Sequence, residues 1–211
     1  MKTKYILVTA LLALASMVGT NAQSFDIDMT KVQPVYSAEN GQGYDIVAAP
    51  KAKSNAPFFY SVKVADGNYK VTVVLGSKKK AGKTVVRAEN RRLMLDEVST
   101  RKGEFKTFSF VVNKRSPYIT DKMNVKIKPR EKETFTWDEK LTLEFTGAAP
   151  AVKSIKVEPA PAETTTVLLC GNSTVVDQFT EPYASWGQMI TRWFGPEVAI
   201  SNHAESGLTA G

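Results

Sequence analysis

The chain has 211 residues, a net charge of +7 and 43% hydrophobic residues, which bounds it to one large globular domain or two small ones. A single cysteine and a single histidine exclude an internal disulfide and a closed zinc shell, so no metal and no cofactor are expected. Charge divides by region: residues 23–163 carry 25 basic and 17 acidic side chains, a net +8, whereas residues 164–211 carry one basic and four acidic, a net −3. A basic domain attracts acidic polymers such as uronic-acid polysaccharides at long range, or is simply a solvated surface with no electrostatic partner.

Lys2 and Lys4 precede an apolar run from Tyr5 to Val18, and Gly19-Thr20-Asn21-Ala22 supplies small residues before Gln23. This layout predicts a secretory signal peptide over 1–22, cleaved after Ala22. The run is short for a spanning helix and no later stretch is long and apolar enough, so no membrane insertion is expected. Gln23 stands where a lipid-anchored protein would carry cysteine. The mature protein is therefore expected to be secreted or periplasmic.

From Pro57 the pattern is β. Phe58 to Val64 leads through Asp66-Gly67-Asn68, a hairpin signal, into Tyr69 to Leu75. In that second strand Tyr69, Val71, Val73 and Leu75 fall on one face, and Lys70, Thr72 and Val74 on the other. Gly41-Gln42-Gly43 marks a turn. Ser77 to Lys83 is a basic loop without interleaved aromatics, which does not read as a nucleic-acid site. Further strands are expected at 84–89, 92–98, 104–113, 125–128, 141–145 and 152–157. Short strands, regular turns and no helical segment predict an antiparallel β-sandwich over 23–158. Trp137, Phe135 and Tyr118 lie in less regular stretches and either stack on sugar rings or plug one end of the sandwich. Pro159-Ala160-Pro161-Ala162-Glu163 reads as a short, stiff linker.

Beyond the linker, Thr165 to Cys170 is a run of apolar and β-branched character that predicts a strand buried on both faces, with Cys170 as a small buried hydrophobe. The strand ends at Gly171, and Asn172-Ser173-Thr174 follows. Such a placement presents a hydroxyl at the carboxyl edge of a sheet, where ligands of open α/β folds bind. Ser173 and Thr174 are equally suited to cap a following helix. Trp186, Met189, Ile190, Trp193 and Phe194 recur with helical period within Tyr183 to Phe194, so a helix with an apolar face is expected there. Val198 to Ile200 is a second strand. Strand, helix, strand predicts one βαβ unit whose two loops, at Ser173 and at Asn202 to Gly207, share one edge.

Gly171-Asn172-Ser173-Thr174-Val175 resembles the first motif of the SGNH, or GDSL-type, hydrolases. Glu181-Pro182-Tyr183 with Ser185-Trp186-Gly187-Gln188-Met189 resembles the next segment of their rhamnogalacturonan acetylesterase branch, and Asn202-His203-Ala204-Glu205-Ser206-Gly207 resembles the second motif. The region before them is similar to the galactose-binding-like β domain that often precedes such esterases. The resemblance implies that 164–211 begins an α/β/α flavodoxin-like hydrolase domain that removes acetyl groups from pectic polysaccharide. It makes Ser173 the nucleophile, and the backbone N–H groups of Ser173 and Gly207 the oxyanion donors.

Two departures stand out. Asn172 occupies the position of the family's aspartate, and an amide fixes the surrounding loop more weakly than a carboxylate. The family's third motif and its late Asp-x-x-His, which supplies the base, are not within the 211 residues. His203 lies in the second motif, where the family does not place its base. A serine hydroxyl needs such a base to attack an acyl carbon. The 211 residues are accordingly expected to be the front part of a longer enzyme, catalytically silent alone and loosely folded in the last third. The competing expectation is a non-catalytic, polysaccharide-binding sandwich with a vestigial hydrolase stub.

Overall fold

The computed structural model describes residues 23–46 and 55–208, so the expected signal peptide lies outside the described residues. The strands are β1 (Phe25–Asp28), β2 (Gln42–Asp45), β3 (Phe58–Lys63), β4 (Gly67–Gly76), β5 (Gly82–Ala88), β6 (Arg92–Thr100), β7 (Phe105–Lys114), β8 (Lys140–Ala149), β9 (Val152–Pro159), β10 (Thr165–Leu169) and β11 (Val198–Asn202). The first nine form two antiparallel sheets, in the orders β1-β9-β4-β7 and β2-β3-β8-β5-β6. Both sheets contribute to one hydrophobic core, as a β-sandwich requires.

Alternation explains the core. Tyr69, Val71, Val73 and Leu75 of β4 are buried, while Lys70, Thr72 and Val74 between them are half-buried. From the other sheet come Phe58, Tyr60 and Val62 of β3 and Leu141, Leu143 and Phe145 of β8. Phe58 stacks on Phe145 at 5.1 Å, and Tyr44 of β2 meets the edges of Phe58 and Tyr60 at 5.9 and 5.6 Å. Such pairs add about 0.5–1.5 kcal/mol each beyond the burial of their area.

Several sequence expectations are corrected by these pairings. Asp66-Gly67-Asn68 is not a hairpin turn: β3 pairs with β2 and β8, whereas β4 pairs with β7 and β9, so the chain crosses between sheets. The side chains that suggested the turn are bound elsewhere. Asp66 accepts from Lys114 Nζ at 2.8 Å, and Asn68 accepts from Asn113 Nδ2 at 2.8 Å, both partners being on β7. The turn expected at Gly41-Gln42-Gly43 is displaced, because β2 begins at Gln42. Gly43 sits where a Cβ would stand 2.5 Å from Tyr36 N, so the neighbouring segment demands glycine there.

Residues 125–128 form no strand. Val125 N bonds to Pro117 O and Ile127 N to Val125 O, which satisfies the backbone locally, and a 3₁₀ turn follows at Pro129–Glu131. The segment instead lies across the C-terminal loop, where Lys126 N donates to Glu205 Oε1 at 3.1 Å and Lys128 Nζ donates to Ser206 O.

Beyond β9, β10 and β11 pair in parallel, Thr165 opposite Val198 and Leu169 opposite Asn202. The expected linker is bound to the sandwich: β9 runs to Pro159, and Ala160 N donates to Asn68 O at 2.9 Å. The buried strand of this pair is β11, not β10. Ala199, Ile200, Ser201 and Asn202 are buried, while Thr165, Thr166, Leu168 and Cys170 are exposed. β10 has β11 on one side and no described strand on the other; Val167 and Leu169 are half-buried, while the opposite face and Cys170 are exposed.

The helix expected over Tyr183 to Phe194 shrinks to one α-turn, α1 (Trp186–Met189), continued by a 3₁₀ turn over Ile190–Trp193. Ser185 sets its start: the hydroxyl accepts from Gln188 N, and Gln188 Oε1 accepts from Ser185 N. The side that packs inward is Gly187, Gln188 and Thr191, whereas Trp193 is 74% exposed and Trp186 faces solvent. Polar anchoring decides this orientation. Gln188 Nε2 donates to Asn90 O and Gln178 O, both at 2.8 Å, and Thr191 Oγ1 donates to Leu93 O at 2.6 Å.

Candidate active-site edge

Parallel pairing puts the carboxyl ends of β10 and β11 at one edge, and the ladder continues beyond them. His203 N donates to Leu169 O at 2.8 Å, and Glu205 N donates to Gly171 O at 2.9 Å. The loops Gly171–Thr174 and His203–Gly207 are thereby joined side by side. Asn172 shapes the first. Its Oδ1 accepts from Thr174 N and Thr174 Oγ1 at 3.1 and 3.0 Å, and its carbonyl accepts from Val175 N and Val176 N. An amide thus supplies the turn-fixing acceptor.

Ser173 is exposed, and its carbonyl accepts from Gln178 Nε2 at 3.1 Å. Neither Ser173 nor Thr174 caps a helix, since that role falls to Ser185. Gly207 adopts φ +82°, a left-handed conformation suited to glycine. His203 is buried, with Nδ1 3.4 Å from Ser201 Oγ. Burial first, then the charge of Arg115, holds its pKa below the usual histidine value. It is therefore kept neutral within its own loop.

The sequence reading missed what supports this edge from below. Asn202, the last residue of β11, donates through Nδ2 to Val175 O at 2.6 Å and to Asp177 Oδ1 at 2.8 Å. Asp177 Oδ2 receives Arg115 Nη2 at 3.1 Å and pairs with Arg92 Nε at 3.3 Å. Arg92 Nη1 also donates to Asn113 O and, across the seam, to Ile200 O. At the rim, Glu181 meets Arg87 and Arg91, each at 3.2 Å. Buried charge thus helps to fasten the parallel pair to the sandwich, beside the bond from Asn68 Nδ2 to Thr166 Oγ1 at 2.8 Å. An arginine in a strand has no local signature of this role; its only hint is that Arg92 occupies an inward position of β6.

Gly187 lies at the same seam, where a Cβ would stand 2.3 Å from Val175 O and 3.1 Å from Asn202 Nδ2. Backbone cannot yield cheaply, so Gly187→Ala should destabilise the protein by about 1–3 kcal/mol. Urea unfolding would measure the loss, and an unchanged midpoint would refute the close approach.

Glu89, beside this cluster, is buried, with Oε1 accepting from Thr142 N at 2.9 Å and Oε2 3.8 Å from Arg92. Desolvation outweighs that distant pair and raises its pKa to about 7. Between pH 4.5 and 7 the folded state therefore binds more proton than the unfolded state, and stability falls as pH rises through that window. The unfolding free energy of Glu89→Gln relative to wild type should climb across it by up to about 3 kcal/mol. Parallel curves for the two proteins would show that Glu89 does not titrate there.

No family model matches the sequence, and no curated protein does. Among solved structures the chain is similar to protein YxiM from Bacillus subtilis, with 20% identity and a TM-score of 0.40, over 88% of this chain and 56% of that one. It is similar to the plant receptor-like kinase FER at 16% identity and a TM-score of 0.35, over 72% and 38% of the two chains. A family 35 carbohydrate binding module from Clostridium thermocellum aligns at 12% identity and a TM-score of 0.31, over 64% and 98%. The chain thus spans 56% of the length of YxiM and 38% of that of FER.

Proposed function

We propose that this chain is the front part of an exported serine esterase that deacetylates pectic polysaccharide. In this reading a galactose-binding-like sandwich precedes the first βαβ unit of a flavodoxin-like SGNH hydrolase domain. Ser173 is the nucleophile, and the N–H groups of Ser173 and Gly207 receive the oxyanion. What supports it above all is the bond from Glu205 N to Gly171 O at 2.9 Å, which joins the loops carrying the two residues at the carboxyl edge of a parallel pair. Attack by Ser173 on the acetyl carbon passes the hydroxyl proton to a base, which gives it to the leaving sugar oxygen; water then hydrolyses the acetyl-serine to acetate and free serine. His203 is a poor candidate for that base, being buried against Ser201. In the family that the motifs resemble, the base comes from a late Asp-x-x-His, so the reading requires one from outside these residues.

The test is a coding sequence read beyond codon 211, expressed and assayed for acetate release from acetylated pectin. Labelling by a fluorophosphonate should fall on Ser173, as read by peptide mass spectrometry. The 211-residue chain should not turn over p-nitrophenyl acetate. A longer chain that carries an Asp-x-x-His yet neither reacts nor labels would reject the proposal.

A polysaccharide-binding sandwich is the second reading, favoured by a cleft of about 650 Å³ at one end of the sandwich. Lys78, Lys79 and Lys153 line it together with Tyr44, Phe58 and Phe105. Charge reversal of Lys78 and Lys79 should weaken binding of pectin fragments by the full chain and reduce its dependence on salt. Unchanged affinity would remove this reading.

A further inference from the structure

Between the sandwich and the loops after β10 and β11 lies a small cavity of about 40 Å³, walled in part by Arg115, Thr136, Trp137, Asn90 and Ser206. Arg115 is only 5% exposed, and its guanidinium lies 5.1 Å from the centre of the Trp137 ring. Its Nη2 is bound to Asp177, but Nε and Nη1 have no partner among the described residues. Thr136 Oγ1 and Asn90 Oδ1, both in buried side chains, are also unpaired. Buried donors of a charged group are costly to leave unmatched.

Charge points to the kind of partner. Asp177 also lines the cavity, but its two oxygens are already taken by Asn202, Arg92 and Arg115. Glu131, on the same wall, accepts from Lys128 N and pairs with Arg130. Glu89 is largely protonated below neutral pH, for the reason given above. Arg92 and Arg115 together therefore exceed the negative charge facing them. About 10–15 Å³ of such space holds one water, so the cavity admits a few waters or one small ion and no sugar ring. Turning the Asn90 amide about its terminal bond exchanges Oδ1 for an N–H donor.

We propose that this cavity binds one small monovalent anion, the size of chloride or formate, held by Arg115, Thr136 and Asn90. The inference does not depend on the esterase reading. Its test is thermal unfolding of the full chain in sodium chloride against sodium gluconate, whose anion is too large for the site, at matched ionic strength. Chloride should raise Tm saturably, by about 5 °C at a hundredfold excess over Kd. Thr136→Val removes one donor at nearly constant volume, so it should move the chloride midpoint to several-fold higher concentration and leave Tm in gluconate nearly unchanged. Arg115→Met should abolish the response. If that variant does not fold, a bromide-soaked crystal decides, with an anomalous peak expected beside Arg115. Equal Tm in the two salts, a chloride response unaltered in Thr136→Val, or water in place of the bromide peak would each overturn the proposal.

Discussion

Asp177→Ala is expected to lower the unfolding free energy by about 3–5 kcal/mol, the range seen when one member of a buried ion pair is removed. Asp177 is the shared acceptor of Arg92, Arg115 and Asn202, and Arg92 is among the most deeply buried side chains of the chain. Without the carboxylate, two guanidinium groups remain in the interior facing one another's charge, and Asn202 loses the bond that sets its side chain. The loss should be read by urea unfolding at pH 7. Limited proteolysis should cut first in the stretch after β10, because the seam opens before the sandwich does. A midpoint close to wild type would mean that the cluster is solvated and contributes little. Asp177→Asn is the instructive companion: it keeps the acceptor for Asn202 and removes the charge, so its loss measures the ionic part.

Ser173→Ala carries the other large effect, on activity rather than stability. On the esterase proposal, a chain extended past codon 211 should lose roughly 10⁴-fold or more of its acetate-release rate, as when the nucleophile of a serine hydrolase is deleted. Ser173 is exposed and, among the described residues, is hydrogen-bonded through its carbonyl and not its hydroxyl, so the fold should be unaffected, with an unfolding midpoint equal to that of the parent. A variant that keeps more than a tenth of the parental rate would exclude Ser173 as the attacking group. The oxyanion contribution, roughly 3 kcal/mol per donor in well-studied hydrolases, cannot be deleted by side-chain replacement because both proposed donors are backbone N–H groups.

Much of the sandwich was legible because a strand with one buried face writes its period into the sequence. Tyr69, Val71, Val73 and Leu75 declare β4, and Leu141, Leu143 and Phe145 declare β8. Pairing was not legible. A strong turn sequence after β3 leads away from β3, since the ten-residue ladder between β4 and β7 outweighs a local preference. The helix failed differently. The period of Trp186, Met189, Ile190 and Trp193 identified an apolar face but said nothing of what meets it, while Ser185-x-x-Gln188 held a readable start signal that was overlooked. For the edge, topology alone anticipated that the loops after β10 and β11 would adjoin. The charges beneath it were not foreseeable: Arg92, Arg115 and Asp177 lie far apart in sequence and meet only once both sheets exist.

The pairing of β1 with β9 has a consequence for synthesis. Phe25 finds its partner in Val157, and β4 is flanked by β7 and β9, so the four-stranded sheet lacks both an outer and an inner member until β9 has been made. A nascent chain must hold β1 unpaired until β9 is made, although β2 can already pair with β3 and β4 with β7, which favours late closure of this sheet over stepwise growth from the amino end.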